Sequence, residues 1–99
     1  RVPAALDEYR RAELRSPDPT TNPYLAFALL IYAGLDGIQQ KLPLPAPTDL
    51  NLFTASADIL ALLQRLPLTL REAATLAANS SFVSKYLPKT IMQTYYDQR

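Results

Sequence analysis

The sequence predicts a mainly helical α+β fold: one short strand or hairpin edge, followed by four to five helices. Three observations predict it. Residues 11–15 alternate charged and apolar, as a half-buried strand does. Asn22 and Pro23 then open a long apolar run in the way a capped helix begins. Beyond residue 54, apolar residues recur at helical spacing between capping residues and prolines.

Taken in order, residues 1–9 read as loop, because Pro3 interrupts regular pairing and Asp7-Glu8 makes a polar bend. From Arg10 to Ser16, Ala12 and Leu14 point one way while Arg11, Glu13 and Arg15 point the other. Pro17 and Pro19 force a turn. Residues 1–21 are therefore expected as a loop and strand, and residues 22–41 as a helix. That helix, with YLAFALLIYA at its centre, has no polar face, so it is expected to be buried on every side. A domain this small has little material to cover it. Later helices, further protein or another subunit would have to do so. Gly34 and Gly37 weaken the helix, and close backbone packing is their expected use.

Residues 42–53 read as a Pro-rich connector, with Pro43, Pro45 and Pro47 at alternate positions and Leu42, Leu44 and Leu50 as possible anchors. Residues 54–99 read as three or four short helices. Ile59, Leu62, Leu63 and Leu66 make one helical face, which Pro67 ends. Thr69 and Glu72 have capping-box spacing, ahead of an apolar stripe of Leu70, Ala73, Ala74 and Ala77. Asn79 to Ser81 is a break, residues 82–87 a short helix, and Pro88 opens a last helix facing inward with Ile91, Met92, Tyr95 and Tyr96.

The 99 residues hold no cysteine and no histidine. Disulfides, zinc sites of the usual kinds and Ser-His or Cys-His catalysis are excluded within them. A net charge of +1 with no basic run gives no reason to expect nucleic acid or an anionic membrane as partner. The longest apolar run is too short to span a bilayer, which takes about 20 residues. A cytoplasmic protein is expected. The first residue is Arg1, which predicts a piece of a longer chain.

One cluster is capable of chemistry. Arg11, Glu13 and Arg15 share a strand face as cation, carboxylate and cation. A carboxylate is a hard oxygen ligand for Mg²⁺ or Mn²⁺, and arginine offers a planar fork to phosphate or carboxylate. The bland alternative is a solvated face of mutually neutralising charges. One carboxylate does not by itself build a metal site. Ser16, Ser80 and Ser81 have no base to activate them and read as turn and capping residues. Tyr95-Tyr96 and Asp36 read as packing and structural residues.

The motifs narrow these options. RVP at residues 1–3, RAELRSPDPTTNPYL at 11–25 and AGLDGI at 33–38 match the pattern R-[IV]-P, R-x-E-[VL]-R-x-x-D-P-x-x-N-P-Y-L and A-G-L-D-G-I at every position. This resembles the C-terminal part of the catalytic domain of bacterial type I glutamine synthetase. APTDLNLF and LPLTLREAATLAANSSFV resemble the family's following connector and helices more loosely. The resemblance implies that Arg1 contacts the γ-phosphate of ATP as a catalytic and nucleotide-binding residue. It implies that Arg11 binds the nucleotide phosphates, that Glu13 is a ligand of Mg²⁺ or Mn²⁺, and that Arg15 binds the carboxylate of substrate glutamate. Family enzymes make glutamine from glutamate, ammonia and ATP through γ-glutamyl phosphate, as double-ringed dodecamers. The intact chain is then expected to be an ATP-dependent glutamate–ammonia ligase, and these 99 residues alone inactive.

One segment departs from the pattern. Residues 5–10, Ala-Leu-Asp-Glu-Tyr-Arg, stand where the family has a Ser-Arg-Gly loop. Altered nucleotide handling, a changed substrate or lost activity are the readings of that change. Two alternatives follow: a γ-glutamyl-amine ligase of the same fold, or a helical interaction module without catalysis.

Overall fold

A computed structural model describes residues 1–97 as one 3-10 turn and five α-helices. The turn is Asp7–Tyr9; the helices are α1 (Pro23–Gln39), α2 (Ala57–Ala61), α3 (Leu70–Ala78), α4 (Ser81–Tyr86) and α5 (Lys89–Asp97). The last two residues of the expected segment 54–99 lie outside the described residues.

The expected strand is absent among the described residues, which corrects the α+β class to a helical one. Residues 11–16 have no regular secondary structure and form no ladder. A single antiparallel pair remains. Glu13 N–H donates to Arg1 O at 2.7 Å, and Arg1 N donates to Glu13 O at 2.9 Å. The next hydrogen-bonded pair of such a ladder would join residues 3 and 11. Pro3 has no N–H to give, so the ladder cannot grow in that direction.

Helix α1 begins as expected. Asn22 Oδ1 accepts from the N–H groups of Tyr24 (3.0 Å) and Leu25 (3.3 Å), and Pro23 takes the first helical position. Its end is a Schellman motif: Lys41 N–H donates to Ile38 O and Leu42 N–H to Gly37 O, both at 3.1 Å. Lys41 holds the left-handed position at φ 52°, where glycine is usual.

The expected burial of α1 is not met within the chain. Leu25, Ala26, Ala28 and Leu29 are half-buried, while Phe27 and Ile31 are 65% and 62% exposed. The later helices meet only one side of it. Helix α1 packs on α4, α4 on α3, and α3 on α5. The α1–α4 contact centres on Tyr32 and Tyr86, whose rings stack at 4.2 Å between centroids, with Phe82 tilted against Tyr86 at 5.0 Å. Gly34 and Gly37 have open space around them, so the close packing expected there is not present.

The second half corrects two stripes. Helix α2 is only five residues long, capped by Ser56 Oγ on the Ile59 N–H at 3.4 Å. It tightens into i to i+3 bonds at Leu62 and Leu63 before Pro67, so the expected face splits. Leu60 and Leu63 turn inward, while Leu62 and Leu66 are exposed. Helix α3 faces inward with Ala73, Ala74 and Ala77 as expected, but Leu70 is exposed. Its cap is a variant box: Thr69 Oγ1 accepts from Glu72 N–H, while Glu72 reaches back to the N–H of Leu68. Ser80 caps α4 on the Val83 N–H. In α5, Ile91, Met92 and Tyr96 are half-buried and Tyr95 is exposed. Leu42, Leu44 and Leu50 of the Pro-rich segment are all exposed and do not anchor it.

No described residue is fully buried. The radius of gyration is 16.0 Å, against about 13 Å for a compact chain of this length. The accessible surface is 9164 Å², against roughly 5,600 Å² by the scaling for folded monomers. The helices therefore form an open arrangement with a large uncovered apolar surface.

Candidate functional site

The four residues singled out by sequence come together around one carboxylate. The Arg1–Glu13 backbone pair brings Arg1 beside Glu13. Arg11 and Arg15, two residues to either side, both turn to the Glu13 carboxylate. Arg15 binds Glu13 Oε2 through Nη2 at 2.8 Å and Nε at 3.1 Å. Arg1 Nη1 reaches the same oxygen at 3.3 Å, and Arg11 Nη2 reaches Oε1 at 3.1 Å. Arg11 Nη1 donates to the carbonyl of Tyr9 at 3.1 Å.

Exposure differs across the cluster. The Glu13 side chain is 23% exposed, whereas its three arginines are 54–67% exposed. The carboxylate is thus the inner hub and the guanidinium groups form an outward ring. The hydrogen bonds from Arg15 hold the Glu13 carboxyl below its ordinary range. Partial desolvation opposes this, and the charges of Arg15, Arg1 and Arg11 add to the lowering. Three guanidinium groups against one carboxylate leave surplus positive charge facing outward. Such a ring suits an anion with several oxygens, such as a polyphosphate or a carboxylate.

Fit to a metal is partial. Glu13 offers one hard oxygen donor, while Mg²⁺ takes octahedral oxygen coordination. No group of three histidine, cysteine, aspartate or glutamate side chains suited to a metal occurs among the described residues. These residues do not make a metal centre by themselves.

A concavity lies elsewhere. An open groove of about 380 Å³ runs between the start of α1 and α5, lined by Asn22, Tyr24, Leu25, Ile91, Thr94 and Tyr95. It contains none of the four site residues. Asn22 is engaged in capping and the Thr94 hydroxyl donates to Thr90 O, so little polar chemistry remains there.

Sequence reasoning missed the contribution of Tyr9 and Arg10. Arg10 Nη2 pairs with Asp7 Oδ1 at 3.0 Å across the 3-10 turn, and the Tyr9 carbonyl holds Arg11. A backbone carbonyl leaves no mark in side-chain pattern. The Asp7–Arg10 spacing of i, i+3 was the only available signal.

No helix among the described residues is long and apolar enough to cross a membrane. No solved structure matches the chain. Among characterised sequences, it is 40% identical over 97 residues to the glutamine synthetase of Methanosarcina mazei, covering 96% of this chain and 22% of that protein. It is 39% identical over 102 residues to the glutamine synthetase of Azospirillum brasilense, covering 100% and 22%. With the glutamine synthetase of Methanocaldococcus jannaschii it shares 53% identity over 58 residues, covering 59% and 13%. The chain thus spans at most 22% of the length of these three relatives. The family model for the glutamine synthetase catalytic domain matches residues 1–99 in full. The RVP and R-x-E-x-R segments that build the arginine ring lie within that match, and the chain belongs to the glutamine synthetase catalytic-domain family.

Proposed function

We propose that this chain contributes one wall of the active site of an ATP-dependent glutamate–ammonia ligase. It would form the C-terminal part of the catalytic domain of a bacterial type I enzyme. The observation that carries the reading is the ring of Arg1, Arg11 and Arg15 around Glu13. In it Arg1 contacts the γ-phosphate of ATP, Arg11 the other nucleotide phosphates, and Arg15 the carboxylate of glutamate. Glu13 is one ligand of Mg²⁺ or Mn²⁺, and the remaining ligands come from outside the described residues. The ion, when bound, neutralises phosphate charge.

Phosphoryl transfer depends mainly on positioning and charge stabilisation. The glutamate side-chain carboxylate attacks the γ-phosphorus and ADP leaves, giving γ-glutamyl phosphate. Ammonia then attacks the acyl carbon, phosphate leaves, and the nitrogen loses a proton. In both steps the guanidinium groups hold anionic oxygens without moving protons, since arginine stays charged. The uncovered apolar surface of α1 supports a chain that packs against further parts of a catalytic domain. The whole protein would be a cytoplasmic homo-oligomer, a dodecamer by family resemblance.

The test is phosphate release by the full-length protein with glutamate, ATP and ammonium. Turnover that needs all three is expected, and none from the 99-residue chain alone. Release that needs a larger amine and ignores ammonium would assign a γ-glutamyl-amine ligase instead. The altered residues 5–10 motivate including that panel. Full activity after Glu13→Ala would overturn the role of the cluster, whereas no turnover with any amine would favour a non-catalytic helical module.

A further inference from the structure

Residues 6–10 form a closed turn. Tyr9 N–H donates to Leu6 O at 2.9 Å and Arg10 N–H to Asp7 O at 3.4 Å. Asp7 and Arg10 pair across the turn at 3.0 Å. No glycine lies in the segment, so its backbone has a narrower conformational range. The turn presents the Tyr9 carbonyl to Arg11 Nη1 at 3.1 Å, while Arg11 Nη2 is held by Glu13 Oε1 at 3.1 Å.

A guanidinium is planar and its N–H groups form a fixed fork. Two separate acceptors on its two terminal nitrogens set both its plane and its heading. Each of those nitrogens keeps a second hydrogen for an anion. We propose that the turn over residues 6–10 is a positioning element for Arg11, in which the Tyr9 carbonyl aims the guanidinium at the nucleotide phosphates. This rests on the reading of Arg11 as a nucleotide contact. The Asp7–Arg10 pair stiffens the turn. Both partners are exposed, so the backbone turn carries the larger share.

The experiment uses the full-length protein. Tyr9→Pro removes the N–H that closes the turn and drives Glu8 out of helical backbone geometry, yet keeps a carbonyl at position 9. The KM for ATP and the calorimetric Kd for ADP are expected to rise about tenfold, as a displaced positioning group does. The KM for glutamate, read through Arg15, and the thermal midpoint are expected to hold. Asp7→Asn is expected to raise the KM for ATP about two- to fivefold, in line with an exposed ion pair. It also serves where Tyr9→Pro fails to fold. In an Arg11→Ala background neither change should add anything.

The inference is overturned if Arg11→Ala weakens ATP binding while Tyr9→Pro and Asp7→Asn do not, or if their effects multiply with that of Arg11→Ala. If Arg11→Ala leaves ATP binding unchanged, the assignment of Arg11 falls as well, since the turn then has no nucleotide contact to aim.

Discussion

Arg1 and Glu13 are joined through backbone and side chain together: two reciprocal main-chain hydrogen bonds at 2.7 and 2.9 Å and an ion pair at 3.3 Å. This coupling makes the carboxylate the fixed point of the cluster. Glu13→Gln keeps the side-chain shape and removes the charge that holds three guanidinium groups. In the full-length protein, divalent-metal affinity and ligase activity are expected to fall by on the order of 10²-fold or more, beyond the loss typical of an outer-shell partner. Isothermal titration with Mn²⁺ and a phosphate-release assay check this. The circular dichroism melt should shift little, because the three arginines paired with the carboxylate are more than half exposed and such pairs contribute little to stability.

Acid should act on the same group with a definite sign. Arg15's hydrogen bonds depress the folded-state value of Glu13, and the charges of Arg15, Arg1 and Arg11 add to the shift. The stabilising contribution is therefore complete above the ordinary glutamate value of about 4.5, and it is lost as pH falls through the depressed folded value. Asp18, depressed by hydrogen bonds from the Thr20 hydroxyl, the Thr20 N–H and the Thr21 N–H, loses its contribution in the same direction. Carboxyl-carbon NMR titration should show Glu13 titrating below the ordinary range in the wild type. Arg15→Ala should move it back up.

Helix α1 depends on its cap. Asn22→Ala leaves the N–H groups of Tyr24 and Leu25 without their side-chain acceptor. A loss of about 1 kcal/mol is expected from urea denaturation, and a similar loss from Thr69→Ala at the start of α3. Asn22→Asp should retain most of the stability.

The apolar surface of α1 predicts association. With Phe27 and Ile31 more than half exposed, the 99-residue chain alone should self-associate as its concentration rises. Sedimentation velocity across a hundredfold concentration range would show it. Replacing both residues with glutamate should shift the chain toward monomer. A wild-type monomer at every concentration would contradict the expectation that α1 needs cover.

Much of the helical part was legible because its signals are local. Asn22-Pro23, Ser80 and the Thr69–Glu72 spacing each announce a helix start, and each cap is formed. The strand was misread because alternation reports which way side chains face, not whether a partner strand exists. Pro3 sits where that partner would have to donate. The stripe of Ile59, Leu62, Leu63 and Leu66 was misread because periodicity cannot show that a helix stops after five residues. In the site, spacing placed Arg11, Glu13 and Arg15 on one face, but the main-chain pairing that brings Arg1 to Glu13 left no mark in the pattern. Nor did the turn's hold on Arg11, since it works through a main-chain oxygen.

Lys41 bears on how the molecule could be reshaped. Its left-handed torsion, not the prolines that follow, sets the direction in which the chain leaves α1. Substitutions at Pro43, Pro45 or Pro47 would change the slack of the tether. A β-branched residue at position 41 would resist that torsion and strain the exit from α1. Residue 41 is in effect a steering joint, and glycine is the replacement that would leave its bearing unchanged.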